Sequence, residues 1–203
     1  MKVLSLLFCL FYLLPVQAAD IGVVSSIRGS VEWRYQDQLL TLKRGDSFAS
    51  GTEVITGPDA RLLLKMNDNS LITLGGNTRL QFSDWHYQKG ALDNGSHLKL
   101  TEGVFRFVTG MITRQPVPDL QVETPSATIG IRGTDFWGGY LDADVLDVIL
   151  LEGEHALVVS NAQGEVVIGT PGQGISVSAG KAPSEPSTWG DEKLQRAVRS
   201  ITF

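Results

Sequence analysis

The chain has 203 residues, a formal charge of −5 from 22 acidic against 17 basic side chains, and one cysteine. That length fits one domain with a small appendage, and such a domain buries about 70% of its unfolded surface without help from disulfides. The acidic balance argues against nucleic acid, which wants a basic face, and against an anionic membrane surface.

Met1-Lys2 and the apolar run Val3–Leu14 have the form of a secretory leader, too short to span a bilayer comfortably. Small residues at Val16 and Ala18 place cleavage after Ala18, so residues 1–18 are expected to leave; an uncleaved anchor is the alternative reading. Cys9 lies in the leader behind the bulky Phe8, which disfavours lipidation. The mature chain then has no disulfide, thiol nucleophile or cysteine metal site, and no membrane span. The expected location is periplasmic, with secretion as the alternative.

The elements after the leader are short and extended. Ile21–Val24, Ile27–Trp33, Leu39–Leu42, Thr52–Thr56, Arg61–Met66, Leu71–Leu74 and Thr78–Phe82 are separated by Gly, Asn and Asp turns. No helix-period pattern interrupts them. Ser83–Ser96 breaks the rhythm, and Trp85 and Tyr87 there are expected to flank a loop, packing over a sheet edge or stacking on a sugar. Leu98–Thr101 and Val104–Val108 resume the strands, Arg114–Pro118 bends, and Leu120–Glu123 leads into Val122–Phe136, VETPSATIGIRGTDF. Gly130 and Gly133 there predict a bulge or a close backbone approach. Arg132 and Asp135 are expected to meet across the bend as a structural clasp, or to form a recognition edge with Thr134 and Phe136. Val145–Leu151, His155–Val159, Val166–Ile168 and Gly174–Val177 complete the strand candidates.

The tail differs. Lys181–Pro186 reads as a Pro-bearing linker and residues 188–201 as a short helix, with Thr188 as cap and Asp191 as its capping-box partner. Leu194, Ala197, Val198 and Ile201 share one face, which must dock on its own domain or on a partner. The chain thus divides into residues 1–18, a β domain at 19–180 and a linker with helix at 181–203. The class is all-β, and composition alone leaves sandwich, barrel and solenoid open.

Chemistry is poorly supported. His86, His97 and His155 lack metal-ligand spacing, no serine has a Gly-x-Ser-x-Gly setting, and no phosphate-cradling glycine loop occurs. Asp142, Asp144 and Asp147 could hold calcium, but their spacing is not that of an EF-hand, and a solvated turn is the plainer reading. Glu152 and Glu154 could pair as acids, with nothing else to complete a hydrolase site. No enzyme activity, cofactor or metal is expected; a glycan-binding or metal-dependent hydrolase is the alternative.

TPSATIGIRGTDF resembles the signature of the FecR domain, the periplasmic module of iron-dicitrate-type sensors. Leu150–Glu154, Thr170–Gly174, Leu42–Asp46 and Asn69–Leu74 extend the likeness over about Gly22–Ala179. The resemblance implies an all-β, solenoid-like domain, with a sandwich as alternative, and a non-catalytic module that receives a signal or binds a protein. Family members typically add a cytoplasmic anti-sigma region and one membrane span, neither of which is expected in the residues before Ile21. The expected partner is another envelope protein, a sensor or outer-membrane transporter, or a glycan. The expected contacts are Arg132, Thr134, Asp135, Phe136, Trp85 and Tyr87, with the C-terminal helix as a further element.

Overall fold

A period of two along a strand sorts side chains into two rows, and burial alternates accordingly in Arg61–Met66, Leu71–Leu74 and Thr128–Ile131. The structure, a computed structural model, describes residues 19–116 and 118–203. The expected leader lies outside the described residues.

The chain winds between two sheets. β1 (Asp20–Arg28) opens the first, and the hairpin β2 (Val31–Tyr35) and β3 (Gln38–Thr41) opens the second. β4 (Ser47–Ala49) returns to the first sheet and β5 (Glu53–Thr56) to the second. β6 (Arg61–Met66) and β7 (Leu71–Leu74) join the first, β8 (Arg79–His86) and β9 (Gly95–Glu102) the second. β10 (Val104–Val108) crosses to the first, and a 3-10 turn at Met111–Thr113 leads back to β11 (Asp119–Glu123) and β12 (Thr128–Ile131) in the second. β13 (Asp135–Asp142) and β14 (Val145–Glu152) follow in the first, β15 (Leu157–Asn161) and β16 (Gly164–Ile168) in the second. β17 (Gln173–Ser178) and β18 (Ser187–Thr188) close the first, and α1 (Asp191–Ile201) ends the chain.

Among the described residues each sheet has nine strands with free edges, so neither closes into a barrel. Only β9 and β11 pair in parallel among the described residues, because β10 crosses to the other sheet between them. The progressive winding is solenoid-like and the layering is that of a sandwich, both within the expected all-β class.

One core joins the inner faces. Phe48 of β4 meets Phe82 of β8 at 5.0 Å, and Trp85 of β8 stacks on Phe107 of β10 at 6.3 Å, each pair bridging the sheets. β14 is apolar apart from Asp147 and its terminal Glu152, because both its faces are covered. Leu146, Val148 and Leu150 point into the main core, while Ile149 belongs to a second cluster under α1 with Val104, Trp137, Trp189, Ala197 and Ile201.

The helix therefore docks on its own domain, one of the two expected outcomes. Val198 departs from the expected face and stays 44% exposed. Thr188 is not the cap: it pairs with Gln173 as part of β18, and Gly190 occupies the N-cap without a side-chain bond. Asp191 consequently has no capping-box partner and sits in the first turn, where the helix dipole favours it. The segment before β18 runs along β17, with reciprocal bonds between Ser184 and Ser176 of 3.0 Å. Among the described residues, no helix is long and apolar enough to cross a membrane.

Candidate functional site

The signature stretch changes sheets. β12 ends at Ile131 in the second sheet and β13 begins at Asp135 in the first. Gly133 makes the crossing at φ +115, a left-handed conformation that a side chain would strain. Ile131 is buried in the core, Arg132 is exposed, and Thr134 and Asp135 are buried again.

The expected Arg132–Asp135 clasp does not form, because the crossing sends the two residues to different sheets. Asp135 instead accepts two hydrogen bonds from Arg106, at 2.9 and 2.5 Å. Arg106 lies opposite Trp137 in β10, so Asp135 is its diagonal cross-strand neighbour. These bonds raise the Arg106 pKa against the opposing effect of burial. Thr134 offers its carbonyl to the backbone and hydroxyl of Thr109 at 3.1 Å, while its own buried hydroxyl has no partner among the described residues. Phe136 is wholly buried, edge-on to Phe105 at 5.4 Å. Of the four signature residues expected at a contact surface, the structure leaves Arg132 alone outside.

Arg132 meets a second element. The 3-10 turn at Met111–Thr113 is held by Asp68, a fully buried carboxylate at the β6–β7 turn. Asp68 accepts from Ser70 N–H at 2.9 Å, Ser70 Oγ at 2.7 Å and Ile112 N–H at 3.0 Å, and its carbonyl accepts from Met111 N–H at 2.9 Å. This anchoring brings Thr113 and Arg114 beside Arg132 and His155 around a cleft of about 390 Å³. The Asx-type spacing of Asp68 and Ser70 is visible in sequence; its grip on residue 112 is not. Arg114 and His155 carry no signal that would join them to Arg132 without the fold.

Trp85 and Tyr87 separate. β8 continues to His86, so Trp85 is a core residue rather than a loop aromatic, with Nε1 donating to Asn67 Oδ1 at 2.9 Å. Its faces are unavailable for stacking on a sugar. Tyr87 is half-buried at the rim of a 460 Å³ cleft with Asp20, His86 and Asp93. His86 bridges the Asp93 carbonyl and the Asp84 carboxylate, the latter at 3.1 Å.

The acidic candidates are taken up by the helix. Asp142 pairs with Arg196 at 2.7 Å, which lowers the Asp142 pKa. Asp147 is buried and pairs with Lys193 at 2.5 Å. Asp144 sits in the hairpin turn at φ 62. Among the described residues, no group of three acidic, histidine or cysteine side chains could hold a metal. Glu152 ends β14, and Gly153 at φ +130 separates it from the exposed Glu154.

The sequence profile of the FecR protein family matches residues 52–155, from β5 to His155. No curated protein matches the chain. Two crystal structures of a proposed anti-sigma factor from Parabacteroides distasonis ATCC 8503 are similar, with TM-scores of 0.54 and 0.53 at 14% identity. Each match covers 70% of this chain and 62% of that protein, so this chain spans less than two-thirds of its length. At that identity the likeness is one of fold.

Proposed function

Because the chain belongs to the FecR protein family, we propose that it is a non-catalytic module of the bacterial envelope that receives a signal by binding another protein. The family match is the observation that carries this reading. The pairing of Asp142 and Asp147 with helix cations supports it, since those carboxylates were the best material for a metal-dependent hydrolase. The wholly buried Phe136 and the core position of Trp85 shift the contact surface to Arg132 and its neighbours.

Residues 19–203 act as the exported unit, with α1 fastened to the β domain. The chain works in the periplasm, where sensors of this family hold the domain. N-terminal sequencing of material from the envelope fraction should begin at Ala19; a retained Met1 would contradict export through a cleaved leader.

The test of the role is in-cell crosslinking of the tagged protein, followed by mass spectrometry of the fractionated envelope. Specific recovery of one envelope protein, a sensor or transporter, is the expected result. Folded, exported protein that captures nothing specific, or that turns over a glycan, overturns the reading.

A further inference from the structure

In a chain of net charge −5, the cleft lined by Arg114, Arg132 and His155 contains no aspartate or glutamate. Among the described residues, none of these three side chains has an ion-pair partner; Arg28, Arg44, Arg61 and Arg199 also lack one, but Arg114 and Arg132 line one cleft together. The fold holds both guanidinium-bearing residues on one cleft. It does so with the buried Asp68, which fixes the turn carrying Arg114, and with Ser70 Oγ, which accepts the Gly110 N–H at 2.8 Å. Gly133 keeps the corner open: a Cβ there would stand 3.3 Å from Thr113 Oγ1 and 3.6 Å from His155 Nδ1.

A shallow groove of about 270 Å³ leads into this corner across the outer face of β11, β12 and β15. Arg132 closes one end, and Gly130 leaves the floor free, with no atom within 3.6 Å of where its Cβ would be (the nearest is the Val158 carbonyl at 3.7 Å). Asp119 stands at the same end as Arg132, since Gln121 pairs with Gly130 across the β11–β12 ladder, but its carboxylate is engaged by Gln121 at 3.0 Å and faces His97 at 3.6 Å. Glu154 precedes His155 and is exposed.

The geometry points to one occupant: an extended, acidic segment of a partner protein, lying over β12 with a carboxylate held by Arg132 and Arg114. This rests on the protein-binding role proposed above. Guanidinium groups match carboxylates in planar, two-bond geometry, and Thr113 and His155 supply further hydrogen-bonding groups beside them. An open, solvated cleft makes such recognition modest in affinity and sensitive to salt.

The test is an NMR titration of the exported chain with the blocked peptide acetyl-Glu-Val-Glu-Val-Glu-amide, its glutamine counterpart, and inorganic phosphate. Saturable shifts at Gly110, Thr113, Arg114, Gly130, Arg132 and Gly133 are expected for the glutamate peptide. They should weaken by about tenfold or more in the Arg114→Gln/Arg132→Gln variant, whose melting temperature stays that of the wild type. Equal binding of the glutamine peptide, shifts confined to other surfaces, no saturable shifts, or a response to phosphate alone would each overturn the inference. The crosslinking experiment separates this from the broader role. A partner captured equally by the wild type and the double variant overturns the acidic-segment site and leaves the binding role standing. A wild type that captures nothing counts against the role, while the titration still decides the groove.

Discussion

The ammonium of Lys193 lies 2.5 Å from Oδ1 of Asp147, a carboxylate in the middle of β14 whose side chain is 2% exposed. Ser176 donates to the same oxygen at 2.6 Å, and Lys193 sits 4.3 Å from the Trp189 ring centroid. One cation thus ties α1 to β14, β17 and the turn before the helix. Asp147 interrupts an otherwise apolar strand because a helix lysine arrives to pair with it.

Breaking this pair from one side should be costly. Lys193→Met leaves Asp147 buried beside a single neutral donor, and a loss of about 2–3 kcal/mol is expected, toward the low end for a buried pair because Lys193 is partly solvated. Asp147→Leu combined with Lys193→Met should recover much of that loss. Urea unfolding of the two single variants and the double variant measures the cycle. A Lys193→Met protein within about 0.5 kcal/mol of wild type would show that the tie contributes nothing.

The two arginines near the signature should behave oppositely. Arg106→Ala strips a bidentate partner from the buried Asp135 and should cost about 1.5–3 kcal/mol. Arg132→Gln touches an exposed side chain and should stay within about 0.5 kcal/mol of wild type. Thermal unfolding of both variants decides between an Arg106 and an Arg132 clasp. Strong destabilisation by Arg132→Gln with a neutral Arg106→Ala would restore the clasp across the bend.

The fold class was legible because alternation and turn chemistry are local. Leu62, Leu64 and Met66 alternate with Arg61, Leu63 and Lys65 whatever lies across the sheet, and Asn69 and Asn77 adopt positive φ as turn residues do. The helix was legible from Ala197 and Ile201, though its cap was not, because Thr188 was claimed by pairing with Gln173. The site was legible in part. RGTDF marks the crossing, but which of its residues face outward depends on the change of sheet at Gly133. Arg106 is 29 residues from Asp135, and no local pattern joins them. Trp85 looked like a loop residue because β8 ends in polar residues, whose outward faces hide how far the strand continues.

The two glycines of the signature make a matched pair. Gly133 has φ +115, where alanine is strained, so Gly133→Ala should cost about 1–3 kcal/mol. Gly130 lies in β12 without a positive φ, and an added Cβ meets nothing closer than 3.7 Å. Gly130→Ala should therefore be neutral or slightly stabilising, by up to about 1 kcal/mol, through the unfolded chain. Denaturant midpoints at equal slope would test this; equal losses for both would mean that Gly130 is also structurally required.

His86 provides a pH-dependent latch. Burial works against its charge, but hydrogen bonds to the Asp93 carbonyl and the Asp84 carboxylate prevail, and its pKa is raised. Both ring nitrogens face acceptors, so the imidazolium satisfies both bonds. A folded-state pKa above the unfolded value of about 6.5 means that the stabilisation is full below that value. It is lost as pH rises through the folded-state pKa. The side chain is about half exposed, so the contribution is small. Wild type should therefore exceed His86→Gln in urea midpoint most at about pH 5.5, with the gap closing by about pH 8. The imidazole shifts of His86, followed by NMR, should titrate above the midpoint found for the same residue in urea. A midpoint at or below the unfolded value, or a gap that widens with pH, would remove the latch.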